Sequence, residues 1–228
     1  STLDWFPYLS YRNEMQRQGE VGSEDDTDIG LDFVWRPNGS TQVTGALKPD
    51  FGQVESDDLV VNFSAFETFV AEKRPFFTEN QGLFSSQVPN EDRVLYTRRI
   101  GSGASTGDSD LVDIDVAAKV TYFGEKYDTG LFIVTEENTV NGRGGDYLSS
   151  RIQRKSTDLV YGHRLTYADK PALDRQAMVQ VLDADWRRSE TINISAQLLH
   201  SDIQQQANPR NHNTALDDQD FAGWVGLS

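Results

Sequence analysis

Hydrophobic and polar residues alternate along much of this chain with a period of two. Val112, Ile114, Val116, Ala118, Val120 and Tyr122 fall on one face, with Asp113, Asp115, Lys119 and Thr121 on the other. That pattern predicts a strand with one apolar face. The same alternation sets Ile29, Leu31, Phe33 and Trp35 against Asp28 and Asp32, and Ile192, Ile194, Ala196 and Leu198 against Asn193, Ser195 and Gln197. Within 177–186, Met178, Leu182, Ala184 and Trp186 share a face opposite Asp183 and Asp185. Further strands are predicted at 40–48, 93–100, 127–137, 147–155, 158–168 and 217–228, while the best short amphipathic helix covers about Ser64 to Ala71.

The connections alternate in length. Gly124-Glu125-Lys126 is a tight turn, 138–146 is long and glycine-rich, Ser156-Thr157 is short, and Ala168–Ala172 is longer. Arg188-Ser189 is short again and 203–216 is long. Outer-membrane barrels alternate in this way between turns on one side and loops on the other. Several strands run about nine to thirteen residues, enough to cross a bilayer when tilted. Tyr122, Tyr167, Trp186 and Trp224 are candidates for aromatic girdles at the two interfaces. Alternating strands also build soluble sandwiches, so the pattern alone leaves both folds open.

Composition narrows the classes. The 228 residues carry a formal net charge of -15, which disfavours binding to a nucleic-acid backbone. There is no cysteine, which removes disulfides, zinc ribbons and thiol chemistry. The mean hydropathy of -0.57 and the lack of a long apolar run exclude a transmembrane helix but not membrane strands. The final run, Asp220 to Ser228, reads as a strand without a closing turn, and the expectation is that the natural protein continues beyond it.

Residues 49–92 break the alternation. Phe63, Phe66, Phe69, Phe76, Phe77 and Phe84 lie among Glu67, Glu72, Lys73, Arg74 and Glu79. A connection this long and aromatic is expected to fold over or into a barrel as a plug or constriction. Strand parity points the same way. With a strand at 93–100, the short 124–126 turn would fall on the loop side unless 49–92 crosses the lumen or 58–63 adds a strand. The expected role of Glu67, Glu72, Lys73, Arg74 and Glu79, with Arg98 and Arg99, is a salt-bridge network holding that plug.

The run KPDFGQVESDDLVVNFSAFETFVAEKRPFFTENQGLF, followed by LYTRRIG at 95–101, resembles the hallmark of the bacterial domain-of-unknown-function family 5916. The opening FPYLSYRNE at 6–14 resembles the start of that family's C-terminal domain. The resemblance implies a C-terminal outer-membrane β-barrel, in proteins that often carry an upstream module similar to carbohydrate-binding family 9. This sequence lacks such a module, so a sugar-binding role does not transfer, and the family offers no catalytic residues to carry over. A glycoside-hydrolase label would rest on family context alone.

Chemical candidates remain thin. Glu67, Glu72 and Glu79 near Glu55, Asp57 and Asp58 offer the two carboxylates that glycoside hydrolysis needs. Asp50, Glu55, Asp57 and Asp58 offer hard oxygen ligands for calcium, but their spacing misses the EF-hand pattern. His163, His200 and His212 show no zinc spacing, and the glycines at 101–107 lack a Walker lysine. No catalytic constellation is named and no cofactor is expected.

The reading is therefore an all-β, antiparallel transmembrane β-barrel segment over 1–228, with an inward-folded segment at 49–92 and placement in the bacterial outer membrane. Outer-membrane lipid and a carbohydrate or other small solute are the expected partners, with passage or surface binding as the function. The acidic excess favours cationic or neutral solutes. The alternative is a soluble secreted or surface β-sandwich that binds or hydrolyses glycans. The two differ in whether Val112, Ile114, Val116, Val120, Ile192 and Ile194 face outward or lie between two sheets.

Overall fold

The computed structural model describes residues 1–15, 23–49, 71–85, 95–101, 112–138, 143–189, 191–207 and 215–227. Ten strands follow one another: β1 (Thr2–Met15), β2 (Ser23–Arg36), β3 (Thr41–Leu47), β4 (Ile114–Phe123), β5 (Tyr127–Glu136), β6 (Asp146–Lys155), β7 (Leu159–Lys170), β8 (Arg175–Ser189), β9 (Ile192–Gln205) and β10 (Leu216–Leu227). They form a single antiparallel sheet in strict sequence order. The sheet is open, with β1 and β10 as its edges. No helix among the described residues is long and apolar enough to cross a membrane.

Alternation predicts most of these strands, and β1 is the exception. Leu3, Trp5, Leu9 and Tyr11 alternate there, but Phe6 and Tyr8 fill the opposite face and Pro7 interrupts the run. Proline is tolerated in edge strands, where its missing N–H breaks no inner ladder. The expected strand at 93–100 is absent over its described part. Residues Thr97–Arg99 form a 3-10 turn instead. The reason is tertiary, because the Arg74 guanidinium binds the carbonyl oxygens of both Thr97 and Ile100 and pulls the backbone out of an extended path.

That correction removes the parity conflict. β3 and β4 pair antiparallel, so the chain leaves β3 and enters β4 at one rim, and the short connections from β2 to β3, β4 to β5, β6 to β7 and β8 to β9 all start and end at the opposite rim. The facing ends of β1 and β2, β3 and β4, β5 and β6, β7 and β8, and β9 and β10 lie at the other rim.

Register assigns every strand residue to one of two faces. Val116, Val120, Leu131, Ile133, Ile152, Leu182, Leu198 and Phe221 share an outer face and are exposed. The opposite face, here the covered face, carries Lys119, Thr121, Asp128, Ser149, Arg151 and Arg164, all buried. Exposed apolar and buried polar is the reverse of a soluble sheet that packs one face on a core.

Ile114 departs from the expected outward set. The β4–β5 register shifts between Ile114 and Val116, so Ile114 is 2% exposed while Val116 is 40% exposed. The irregularity moves one residue of the alternation to the other face. Ile192 is exposed as expected, whereas Val112 and Ile194 are half-buried. The faces expected over 177–186 hold, since Leu182 and Trp186 are exposed and Val181, just before Leu182 on the other face, is buried.

Among the expected girdle residues, Tyr122 and Trp186 stand exposed near the short-turn rim, with Trp5, Trp35, Tyr127 and Tyr161 beside them. Tyr167 is outward near the other rim, paired with Met178. Trp224 does not join them. It pairs with Gln197 on the strand face continuous with buried Val181, and its indole N–H donates to Gln197 Oε1 at 3.2 Å.

Candidate functional site

The site is built where the β3–β4 connection lies on the covered face. Pro75 opens a single helical turn, α1 (Pro75–Thr78), a position where its missing N–H costs nothing. Asn80, at φ 55°, reverses the chain in the left-handed region that asparagine tolerates. A second turn follows, α2 (Gln81–Phe84). The two turns bury Phe76, Phe77, Leu83 and Phe84 on the sheet. The Phe132 ring of β5 meets Phe84 edge-on at 5.1 Å and Phe77 at 6.2 Å. Gly130 makes this approach possible, since a Cβ there would lie 2.6 Å from Phe84 Cζ and 2.7 Å from a Leu83 methyl.

Polar groups of the sheet then fasten the backbone of the segment. The Lys119 ammonium donates to the carbonyl oxygens of Phe76 and Glu79, the latter at 2.6 Å. Arg164 Nη2 donates to Ser85 O at 2.5 Å, and Lys170 Nζ to Arg99 O at 3.2 Å. Asn80 Nδ2 donates to Thr121 Oγ1 at 3.2 Å. In the reverse sense, the Glu136 carboxylate accepts the Gly101 N–H at 2.8 Å, and also the Gly145 N–H and the Tyr147 hydroxyl. Short turns leave their last carbonyls without helical partners, and these cations satisfy them.

Inside the segment, Arg74 is the clamp. Its Nε and Nη2 bind the two Glu72 oxygens, each at 2.8 Å, and Nη1 and Nη2 reach Ile100 O and Thr97 O at 2.8 and 2.7 Å. Its guanidinium also stacks 4.3 Å from the Phe77 ring centroid. The Thr97 hydroxyl donates to Glu72 Oε2 at 2.7 Å. Burial pushes the Glu72 carboxyl up, but the bonds and charge of Arg74 with the Thr97 hydroxyl outweigh it and hold Glu72 below the usual carboxylate range. A carboxylate held ionised in this way lacks the raised pKa that a general acid needs.

The expected plug residues are thus divided. Glu72 and Arg74 meet as a buried pair. Glu79 does not join them; its carboxylate faces Arg36 at 3.7 Å and the Thr44 hydroxyl at 3.4 Å. Lys73 is exposed, and its backbone N–H donates to Glu72 Oε1. Arg98 is half-buried and Arg99 exposed, the latter contributing its carbonyl to Lys170. Phe76, Phe77 and Phe84 are buried against the sheet. Glu67, Phe63, Phe66 and Phe69 lie outside the described residues, as do Asp50, Glu55, Asp57 and Asp58 of the calcium candidate and, but for Ala71, the helix expected at 64–71.

Alternation does not single out Lys119, Glu136, Arg164 and Lys170, because a polar residue on the polar face of a strand reads as solvated. One signal was present for Gly130, since a glycine inside a strand often marks close approach of another backbone or ring.

Residues 2–125 match the family model described as Domain of unknown function (DUF5916). That is more than half of the 228 residues. The chain belongs to the DUF5916 family. No curated protein matches it. The DUF5916 match spans β1–β4 with the whole 48–113 connection and stops in the turn before β5. Lys119 and the Glu72–Arg74 clamp therefore lie inside the DUF5916 region, whereas Phe132, Glu136, Arg164 and Lys170, which complete the seat of the segment, lie beyond it.

Proposed function

We propose that this chain supplies part of the wall of an outer-membrane β-barrel, with the segment around 71–85 and 95–101 as an inward constriction governing passage or binding of a small solute. One observation carries the reading: each of the ten strands presents exposed apolar side chains on the outer face, and along β4–β7 the opposite face buries charge. Exposed apolar patches beyond a few hundred Å² mark contact with a membrane or partner. Leu3, Ile29, Leu47, Val120, Leu131, Ile152, Tyr161, Leu182, Leu198 and Val225, one from each strand, form such a band. The aromatics near the short-turn rim and the sorting of connection lengths agree with barrel architecture. Lipid tolerates no open sheet edge, so the reading requires β1 and β10 to be paired in the assembled barrel. Carbohydrate as the solute rests on family resemblance alone.

The test is migration of the full protein in mild detergent on gels, unheated and boiled. A folded barrel runs faster unheated. Equal migration, together with recovery of the protein in the soluble fraction, would overturn the reading in favour of a secreted sandwich. Leu131→Arg adds a second arm, because a charge on a lipid face costs about 2–4 kcal/mol near the bilayer midplane and is nearly neutral in water.

A further inference from the structure

A cavity of about 370 Å³ lies between the inserted segment and the sheet, with Phe76, Phe77, Phe84, Phe132, Thr97 and Lys119 in its lining. Lys119 is only 3% exposed, and its Nζ sits 5.0 Å from the Phe76 ring centroid. An ammonium has three N–H donors. Two of them go to the carbonyl oxygens of Phe76 and Glu79, which carry no formal charge. Among the described residues no carboxylate lies within ion-pair distance of Lys119. The acid whose charge acts on it, Glu79, has its carboxylate turned to Arg36 and Thr44. A buried cation without a counter-charge is costly, and the cation–π contact with Phe76 offsets only part of that cost.

We propose that this cavity binds a small aromatic carboxylate, with its ring among the phenylalanines and its carboxylate on the third N–H of Lys119. Both parts of the ligand are needed. A neutral aromatic fills the space between the rings and leaves Lys119 uncompensated, while acetate compensates the charge and leaves the rings apart. The net charge of -15 does not oppose this, because acids of this wall are already engaged: buried Asp128 by Lys155, half-buried Asp183 by Arg151, and buried Glu136 by the Gly101 and Gly145 N–H groups and the Tyr147 hydroxyl. The proposal goes beyond a passage function and does not depend on whether the sheet spans a membrane.

The experiment titrates the full folded protein with 4-fluorobenzoate, followed by fluorine NMR, beside 4-fluorobenzyl alcohol as the neutral ring and trifluoroacetate as the ringless anion. Saturable binding of fluorobenzoate is expected, about tenfold tighter than the alcohol, the weight of one charge-assisted hydrogen bond. Lys119→Met should erase that preference. Because Lys119 also fastens the segment, a second variant leaves it untouched. Gly82 lines the same cavity and has open space where a Cβ would stand, so Gly82→Leu folds and should occlude the cavity and abolish binding. Fluorobenzoate binding no tighter than the alcohol, or unchanged in Gly82→Leu, overturns the proposal.

Discussion

Two walls of the sheet share an outer face and differ on the other. Along β4–β7 the inserted segment covers the polar face, so Lys119, Ser149, Arg151 and Arg164 are buried and two of them bind backbone carbonyls of the segment. Along β9, β10 and the neighbouring end of β8 the described residues of that face are half-buried or exposed. Asp185 is exposed there, and polar side chains pair across strands, as in Ser195 to Asp185 at 2.5 Å and Trp224 to Gln197 at 3.2 Å. The difference teaches that the polar pattern of the strands does not by itself decide burial. A buried polar wall needs a specific partner for each donor, whereas a bare one is served by water and neighbouring strands. The covered wall should therefore be sensitive to single substitutions that the bare wall tolerates.

The largest expected effect is at the clamp. Arg74→Ala leaves the Glu72 carboxylate buried and unpaired, at a cost of roughly 3–5 kcal/mol, read by denaturant unfolding of the full protein in detergent. Ser195→Ala on the bare wall should shift the same midpoint by less than about 0.5 kcal/mol. Equal shifts would erase the contrast between the walls. Next comes an aromatic pair. Phe132→Ala should cost about 3 kcal/mol through the cavity it leaves, while Phe221, 80% exposed on the outer face, should be replaced by Ala with little change in detergent.

Gly130→Ala is a smaller and more local probe. Its Cβ would collide with Phe84 and Leu83, for an expected loss of about 1–3 kcal/mol. Hydrogen exchange should show this as loosening at 76–84, with β8–β10 unaffected. A uniform change in protection would mean that the segment and sheet unfold together. The subtlest effect is that of pH. The Glu72 carboxyl is held below its ordinary value of 4.5, so its contribution is complete above that value and is lost as pH falls through the lowered one. Protection at 95–101 should therefore weaken on acidification below about pH 4.5 and not between neutrality and that point. Glu72→Gln should flatten the dependence.

Most of the sheet was legible in the sequence because period two is a direct imprint of the pleat, as 177–186 illustrates. What alternation cannot report is a change of phase. One residue at Ile114 moved a predicted outward side chain into the core. Nor can it report a tertiary override: Leu95 to Gly101 has the composition of a strand, yet two bonds from Arg74 fold it into a turn. At the site, the buried Glu72–Arg74 pair was legible because both charges sit in an otherwise aromatic run. Lys119, Glu136 and Arg164 were not, since their burial is imposed by a segment distant in sequence and no local pattern records what will cover a strand.

The sorting of the connections gives the molecule two rims of different editability. At one, strands are joined by turns such as 124–126 and 190–191, where an added residue would disturb the pairing on both sides. At the other, chain can lengthen between strands without altering any register, and the β3–β4 connection is such a lengthening, whose described part at 76–84 packs on the sheet. Inserted tags, grafted loops and the drift of related sequences should accordingly accumulate at that second rim, leaving the first as the fixed template on which the strand order is counted.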